Sequence, residues 1–539
     1  MMKTKKIYIS LLATALAFTG CQDMDTVPEG GMVTSSQKDE VSDQNPERAQ
    51  AKVNAIFSTF SQYEPNAAAM GAGRHNDIGY PTLILAMNSN GMDVVSADNG
   101  YNWTGYDLTF EDRQYTMYEC QMTWNNLYSI IFAANNVTKA YSVDTEDAQE
   151  KFYLGQALAA RGFAYWVLAQ LYQFNYVGHE DALCVPVITE ANADDAAVNG
   201  CPRAKVKEVY TQIKNDLDKA VDLLAAAQAK KVTRSDKRYI SLAVAYGLRA
   251  RMNLSMRNWP EAAADAQNAI TAAEAEGLAM TDLSQEPGKP AFYDIEETNW
   301  MWGILVNETD DVVTSGIVNF PSHMGSLNYG YANFSGGMKI SKALYKQIKD
   351  NDGRKNWFLD ATGAAELTAE QQAWADTYCG PYGQVKFGPY NGVVGTSVNA
   401  SDIPLMRVEE MYLIKAEAEG MQNPANGKTA LETFLKQRIA NASAYTEGLT
   451  TSEDVQNAVY LQRRIEFWGE GIVWFDTMRL GKGVDRRGAG FPSNLVFDIP
   501  GNSDILLWRI PEAEIQANKA LSEADYLTVT LPKAVADID

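Results

Sequence analysis

Residues 461–481 read LQRRIEFWGEGIVWFDTMRLG. This run holds four large aromatics, three glycines and a set of opposed charges, Arg463, Arg464, Glu466 and Glu470 first, then Asp476 and Arg479. Clustered charge beside aromatic rings invites an active-site reading. Large aromatics are more often packed inside a protein than displayed on it. We therefore assign Arg464, Glu466, Trp474 and Asp476 to internal packing and ion pairing. A second stretch, 402–420 (DIPLMRVEEMYLIKAEAEG), completes the region that decides the fold.

Working outward, apolar residues recur at helical spacing through most of the chain. Helices are expected over 46–61, 119–139, 150–174, 206–224, 240–254 and 261–275. Further ones are expected at 406–419, 429–440 and 453–467. In 150–174, Ala157, Ala160, Ala164, Val167, Leu168 and Leu171 share one face, and their small size implies close helix contact. The 240–275 pair, joined at Arg257-Asn258-Trp259-Pro260, resembles a tetratricopeptide repeat, with Ala262 and Ala269 as its small packing residues. Two stretches lack a period. Residues 67–110 read as irregular, and 299–400 as loop and short strand with a helix near 341–349.

The chain has 539 residues and a formal charge of −22. Residues 1–20 contribute three lysines and no acid, so without them the charge is −25. So acidic a chain repels phosphate backbones, which argues against nucleic acid as a partner and mildly against polyanions unless a local basic patch intervenes. Lys3, Lys5 and Lys6 precede the apolar run 7–18, too short to span a bilayer. Phe18-Thr19-Gly20-Cys21 then resembles a bacterial lipoprotein signal with Cys21 as the lipidated residue. The expected organisation is a signal peptide over 1–20, a polar tether over 21–45, and one helical domain over 46–539. Within it lie the repeat scaffold (about 120–275), a loop-rich insertion (about 299–400) and the C-terminal region (402–539).

Catalytic and metal signatures are missing from the sequence. The three histidines, His75, His179 and His323, are not at metal spacing. Gly427-Lys428-Thr429 mimics the end of a phosphate loop, but Gln422 stands where its first glycine belongs. Cys120, Cys184, Cys201 and Cys379 match no metal site. Cys184 and Cys201 could close a loop, and isolated buried thiols are an equal alternative. No cofactor and no enzyme activity are expected.

The 402–420 and 461–481 stretches resemble the C-terminal signature of the SusD/RagB family. Asp402 to Arg407 with Ala416-Glu417-Ala418 is similar to its strand-to-helix entry. Arg464, Glu466, Phe467, Gly471, Trp474-Phe475-Asp476 and Arg479 are similar to its RRxEF…G…WFDLxR helix, and Leu507 to Pro511 with Glu514, Ile515 and Asn518 to its closing segment. The resemblance implies a mostly α fold, a tetratricopeptide-like helical-repeat scaffold with long ligand-binding loops and short strands. It also implies an outer-membrane, cell-surface lipoprotein that passes an oligosaccharide or polysaccharide to a SusC-like TonB-dependent transporter and does not cleave it. An oligopeptide ligand, as in the RagB branch, is the first alternative, and a glycosidase using two carboxylates the second.

A sugar site needs flat aromatic faces and edge-on polar groups. The two aperiodic stretches hold both. Arg74, Asp77, Asn88, Tyr101 and Trp103 come from the first, and Trp300, Tyr329 and Tyr331 from the second. These eight are the expected ligand-binding residues.

Overall fold

The computed structural model describes residues 46–65, 67–71, 73–96, 104–315, 319–330 and 337–538. Cys21, Tyr101, Trp103 and Tyr331 lie outside them. By contact the chain separates into Met1–Ala51 and Lys52–Asp539. Of the first unit only the opening of helix α1 (Pro46–Ser58) is described.

The body is a succession of helices: α2 (Tyr80–Asn90), α3 (Tyr118–Ala140), α4 (Ala148–Tyr172), α5 (Val206–Ala229), α6 (Leu242–Ser255) and α7 (Trp259–Ala275). After the loop-rich insertion come α8 (Val408–Gln422), α9 (Pro424–Leu435), α10 (Ser452–Glu466) and α11 (Val473–Arg479). From α3 to α9 each helix packs on the next, α7 against α8 across the insertion, and α10 lies on α8. This is the expected helical-repeat scaffold. One close junction is α4 on α5, where a Cβ on Gly155 would fall 2.7 Å from Leu224 and one on Gly162 2.9 Å from Leu217. Small residues here let two long helices share one apolar seam.

Among the described residues, four two-stranded antiparallel ladders stitch the loops down. β1 (Val94–Val95) pairs with β5 (Lys339–Ile340), and β2 (Leu183–Pro186) with β3 (Arg203–Lys205). β4 (Trp300–Ile304) pairs with β6 (Ile403–Arg407), fixing the insertion to the entry of α8, and β7 (Val484–Asp485) with β8 (Asp498–Ile499).

Several expectations are corrected. The stretch 67–110 is not irregular throughout, because α2 runs through it. Every residue of α2 except Thr82 is buried. A helix enclosed on all sides carries no amphipathic period, so the pattern is silent there. The helix expected near 341–349 is one turn, Lys342–Tyr345, while Ala369–Tyr378 forms a helix that was not anticipated. Met406 belongs to β6 rather than to the helix after it. The helix expected at 429–440 runs over Pro424–Leu435. Residues 461–481 are two helices, α10 and α11, broken where Gly469 (φ 82°) and Gly471 (φ 78°) take the left-handed conformation. The four cysteines form no disulfide, and Cys120, Cys184 and Cys379 are buried.

Candidate functional site

The break between α10 and α11 is held by charge. Glu466 is fully buried and accepts from Arg438 Nε at 2.9 Å, Arg407 Nη1 at 2.9 Å and Arg354 Nη1 at 3.3 Å. Burial alone pushes its carboxyl up, but Arg438, Arg407 and Arg354 outweigh burial and hold it well below the usual range. Beside it Lys386, also fully buried, donates to Glu466 O, Trp468 O and Glu470 Oε1 within 2.9 Å. A second cluster links Arg463 and Arg479 to Asp476, and Arg479 to Glu417 on α8.

This core reaches out to the first loop region. Asn88 on α2 donates to Gly469 O at 2.7 Å and accepts from Gly471 N at 3.2 Å. Arg464 grips Asp93 through two bonds of 2.9 and 2.5 Å, and Trp468 Nε1 donates to Asp93 O at 2.8 Å. Arg486 is buried and, among the described residues, makes no direct ion pair, with Asp112 as the nearby charge. It donates to the carbonyls of Ser89, Asn90, Gly91 and Leu108, which closes the C-terminus of α2, and burial lowers its guanidinium to about 9. The signature region thus sets the position of α2 and of β1 just beyond it.

β1 and β5 then bring the two aperiodic stretches together. Val94 faces Ile340 and Val95 faces Lys339 in an antiparallel ladder. Val95 and Lys339, 244 positions apart in sequence, stand one strand spacing from each other. Nearby, the helix Phe320–Met324 packs on α2, and Tyr329, 45% exposed, is fixed by a bond from its N to Thr396 O at 2.7 Å. Asn399 donates to Tyr329 O at 3.1 Å.

Just ahead of α2 in sequence lies a polar aromatic cluster. Arg74 sits 4.7 Å over the Tyr118 ring and 3.4 Å from Glu119, which also accepts from Asn76 at 3.2 Å. Tyr63 Oη lies 2.6 Å from His75 Nδ1. Tyr118 is 40% exposed, whereas Tyr106, 45% exposed, belongs to the segment that meets the C-terminal end of α2, where Asn90 donates to Asp107 O at 2.7 Å. There burial and then the charges of Asp112 and Glu119 push the Asp107 carboxyl well up.

Of the eight expected residues, Arg74 and Tyr329 present surface at these two places. Asp77 is buried: its backbone braces the 64–77 turn and burial raises its carboxyl to about 7. Asn88 serves α2 and the Gly469–Gly471 turn. Trp300 is enclosed in the β4–β6 ladder with no exposed ring face, so it does not offer a stacking surface. Alternation along a strand is invisible when both faces are covered. Tyr101, Trp103 and Tyr331 are outside the described residues. Tyr118, Glu119 and Tyr63 join the first cluster without having been singled out. A tyrosine opening a helix was the available signal. Among the described residues no three His, Cys, Asp or Glu side chains converge as a metal site.

Two family models match the chain, one described as starch-binding associating with outer membrane over residues 42–254, the other as the SusD family over 359–526. A SusD-like protein P38 of Formosa agariphila is 22% identical over 406 residues, 68% of this chain and 73% of that one. A SusD-like carbohydrate binding protein from Bacteroides vulgatus superposes with TM-score 0.69 at 24% identity, covering 90% of this chain and 98% of its own. A laminarin binding SusD-like protein superposes with TM-score 0.56 at 18% identity, covering 90% and 99%.

Proposed function

The chain belongs to the SusD/RagB family, and from that premise we propose a cell-surface glycan-binding lipoprotein that captures oligosaccharide and delivers it to a SusC-like TonB-dependent transporter. The observation that carries the reading is the β1–β5 ladder. It pairs Val94–Val95 of the first aperiodic stretch with Lys339–Ile340 of the second, and Tyr329 lies exposed on the second of these stretches. Binding residues on loops held by such a frame are the common arrangement.

In this reading Tyr101, Trp103, Tyr329 and Tyr331 supply ring faces and Arg74 an edge donor. Capture needs stacking and hydrogen bonds and no acid–base chemistry. Lipid on Cys21 would tether the protein to the outer membrane. No described helix is long and apolar enough to cross one. Closure over the transporter would be a hinge motion of the whole body.

Calorimetry against a broad panel of oligosaccharides tests this. Binding is expected, with Trp103→Ala and Tyr329→Ala each weakening it roughly tenfold, the worth of about 1.4 kcal/mol of stacking. If neither the protein nor its transporter complex binds any oligosaccharide, and mass spectrometry of material copurifying with it finds peptide, the glycan reading is replaced by the oligopeptide one.

A further inference from the structure

We propose a second glycan site, a groove along the solvent face of α3 beside Phe132, which takes a short stretch of a hydroxyl-rich oligosaccharide. The proposal rests on the glycan reading above and uses elements other than the β1–β5 ladder and Tyr329.

The pattern of α3 accounts for the groove. Leu127, Ile130, Ile131, Ala134 and Val137 are buried, whereas Asn125, Ser129, Phe132, Asn136 and Lys139 recur at helical spacing on the outer side. Four of these outer five are polar. Phe132 is the exception, and at 69% it is more exposed than any other large hydrophobic side chain among the described residues. A single apolar residue on a surface needs no partner. Phe132 differs because it lines a groove of about 450 Å³, within the range of small-ligand sites.

The rest of the groove is aromatic and polar. Trp124 and Tyr128 line it with rings 4.5 Å apart, and Tyr128 Oη donates to Pro186 O at 2.7 Å, which holds that ring in place. Carboxylates come from the segment after β2 and from the C-terminal region. Glu190 is fixed by Arg161 and by Thr138 Oγ1 at 2.9 Å, and Asp194 pairs with Lys139 at 3.2 Å. Glu514 takes Asn518 Nδ2 on Oε1 at 2.8 Å, and its second oxygen accepts from no described residue. Asn125 Nδ2 meets no acceptor within the protein, and turning the amide over would bring that donor to the groove.

One pyranose answers all of these groups at once. Its C–H face suits the Phe132 ring, its hydroxyls donate to Glu514 and Asp194, and its oxygens accept from the amides of Asn125 and Asn136. An extended peptide gains its affinity by pairing with the open backbone of a strand edge. This groove is walled chiefly by side chains of a helix whose own backbone is already paired.

Calorimetry with maltotriose, laminaritriose, xylotriose and mannotriose tests the site, since trisaccharides count binding events separately. Two events per chain are expected with at least one of them. Phe132→Ala should weaken one event roughly tenfold, and Asn136→Ala about threefold to tenfold. Both positions are exposed, so the thermal midpoint should not move. Tyr329→Ala should weaken the other event and leave this one. A single event per chain, or two that neither α3 variant changes, overturns the inference and leaves glycan capture intact. A peptide whose binding is lost with Phe132→Ala while trisaccharide binding is not assigns the groove to peptide and also overturns it. Failure of every oligosaccharide, short or long, overturns the glycan reading and this inference with it.

Discussion

Glu466 takes hydrogen bonds from three buried guanidiniums, and its worth to the fold lies in what its loss would strand. Replacing it with glutamine leaves Arg354, Arg407 and Arg438 in a dry interior with a deficit of charge. Removing one partner from such a cluster costs about 3–5 kcal/mol. Glu466→Gln should therefore lower the urea midpoint sharply, and a midpoint within error of the parent would show that water reaches the cluster. Asp77 yields a prediction of opposite character. Burial raises its folded-state carboxyl from 3.8 to about 7. Between those values the folded protein holds a proton that the unfolded chain releases, so this contribution is present below pH 4 and lost as pH rises through 7. Asp77→Asn removes the titration. Relative to the parent, the variant should gain stability on the order of a few kcal/mol between pH 4 and pH 8, read by denaturation at each pH. A flat difference would mean Asp77 stays ionised.

At the scale of elements, α8 and α9 meet backbone to backbone. A Cβ on Gly427 would stand 2.2 Å from Gly420 Cα, so neither helix can carry a side chain at the crossing. The same Gly427 is what made the sequence look like the end of a phosphate loop, and its geometry answers to packing instead. Gly427→Ala should cost about 1–3 kcal/mol through forced separation of the pair. A thermal midpoint unchanged from the parent would contradict the close contact. Amphipathic elements such as α10, capped by Thr451 and Asp454, were legible because one face is wet and the other dry. α2 was not legible, since its burial on all sides erases the contrast that periodicity reads. Trp300 failed for the same reason, inside a strand covered on both faces.

For the whole molecule, the reading places a lipid anchor at Cys21, a polar tether after it and the binding face on the body. Cys21→Ser should move the protein from the membrane fraction to the soluble one and abolish glycan uptake by cells while leaving glycan affinity unchanged in calorimetry. Retention in the membrane fraction would remove the anchor from the proposal. The family was readable from residues 402–420 and 461–481 because the pattern there is written in short runs of charged and aromatic residues, although their partners, such as Asp93 for Arg464 and Arg354 for Glu466, lie far away in sequence. By itself the sequence determined the helical scaffold, the charge of the chain and the composition of the loops. The tertiary structure decided which of those residues are surface and which are support. It sent Asn88, Asp77 and Trp300 inward, left Arg74 and Tyr329 outward, and brought β1 against β5. Such outcomes depend on contacts between residues hundreds of positions apart, and no local pattern encodes which of two polar or aromatic side chains the far partner will cover.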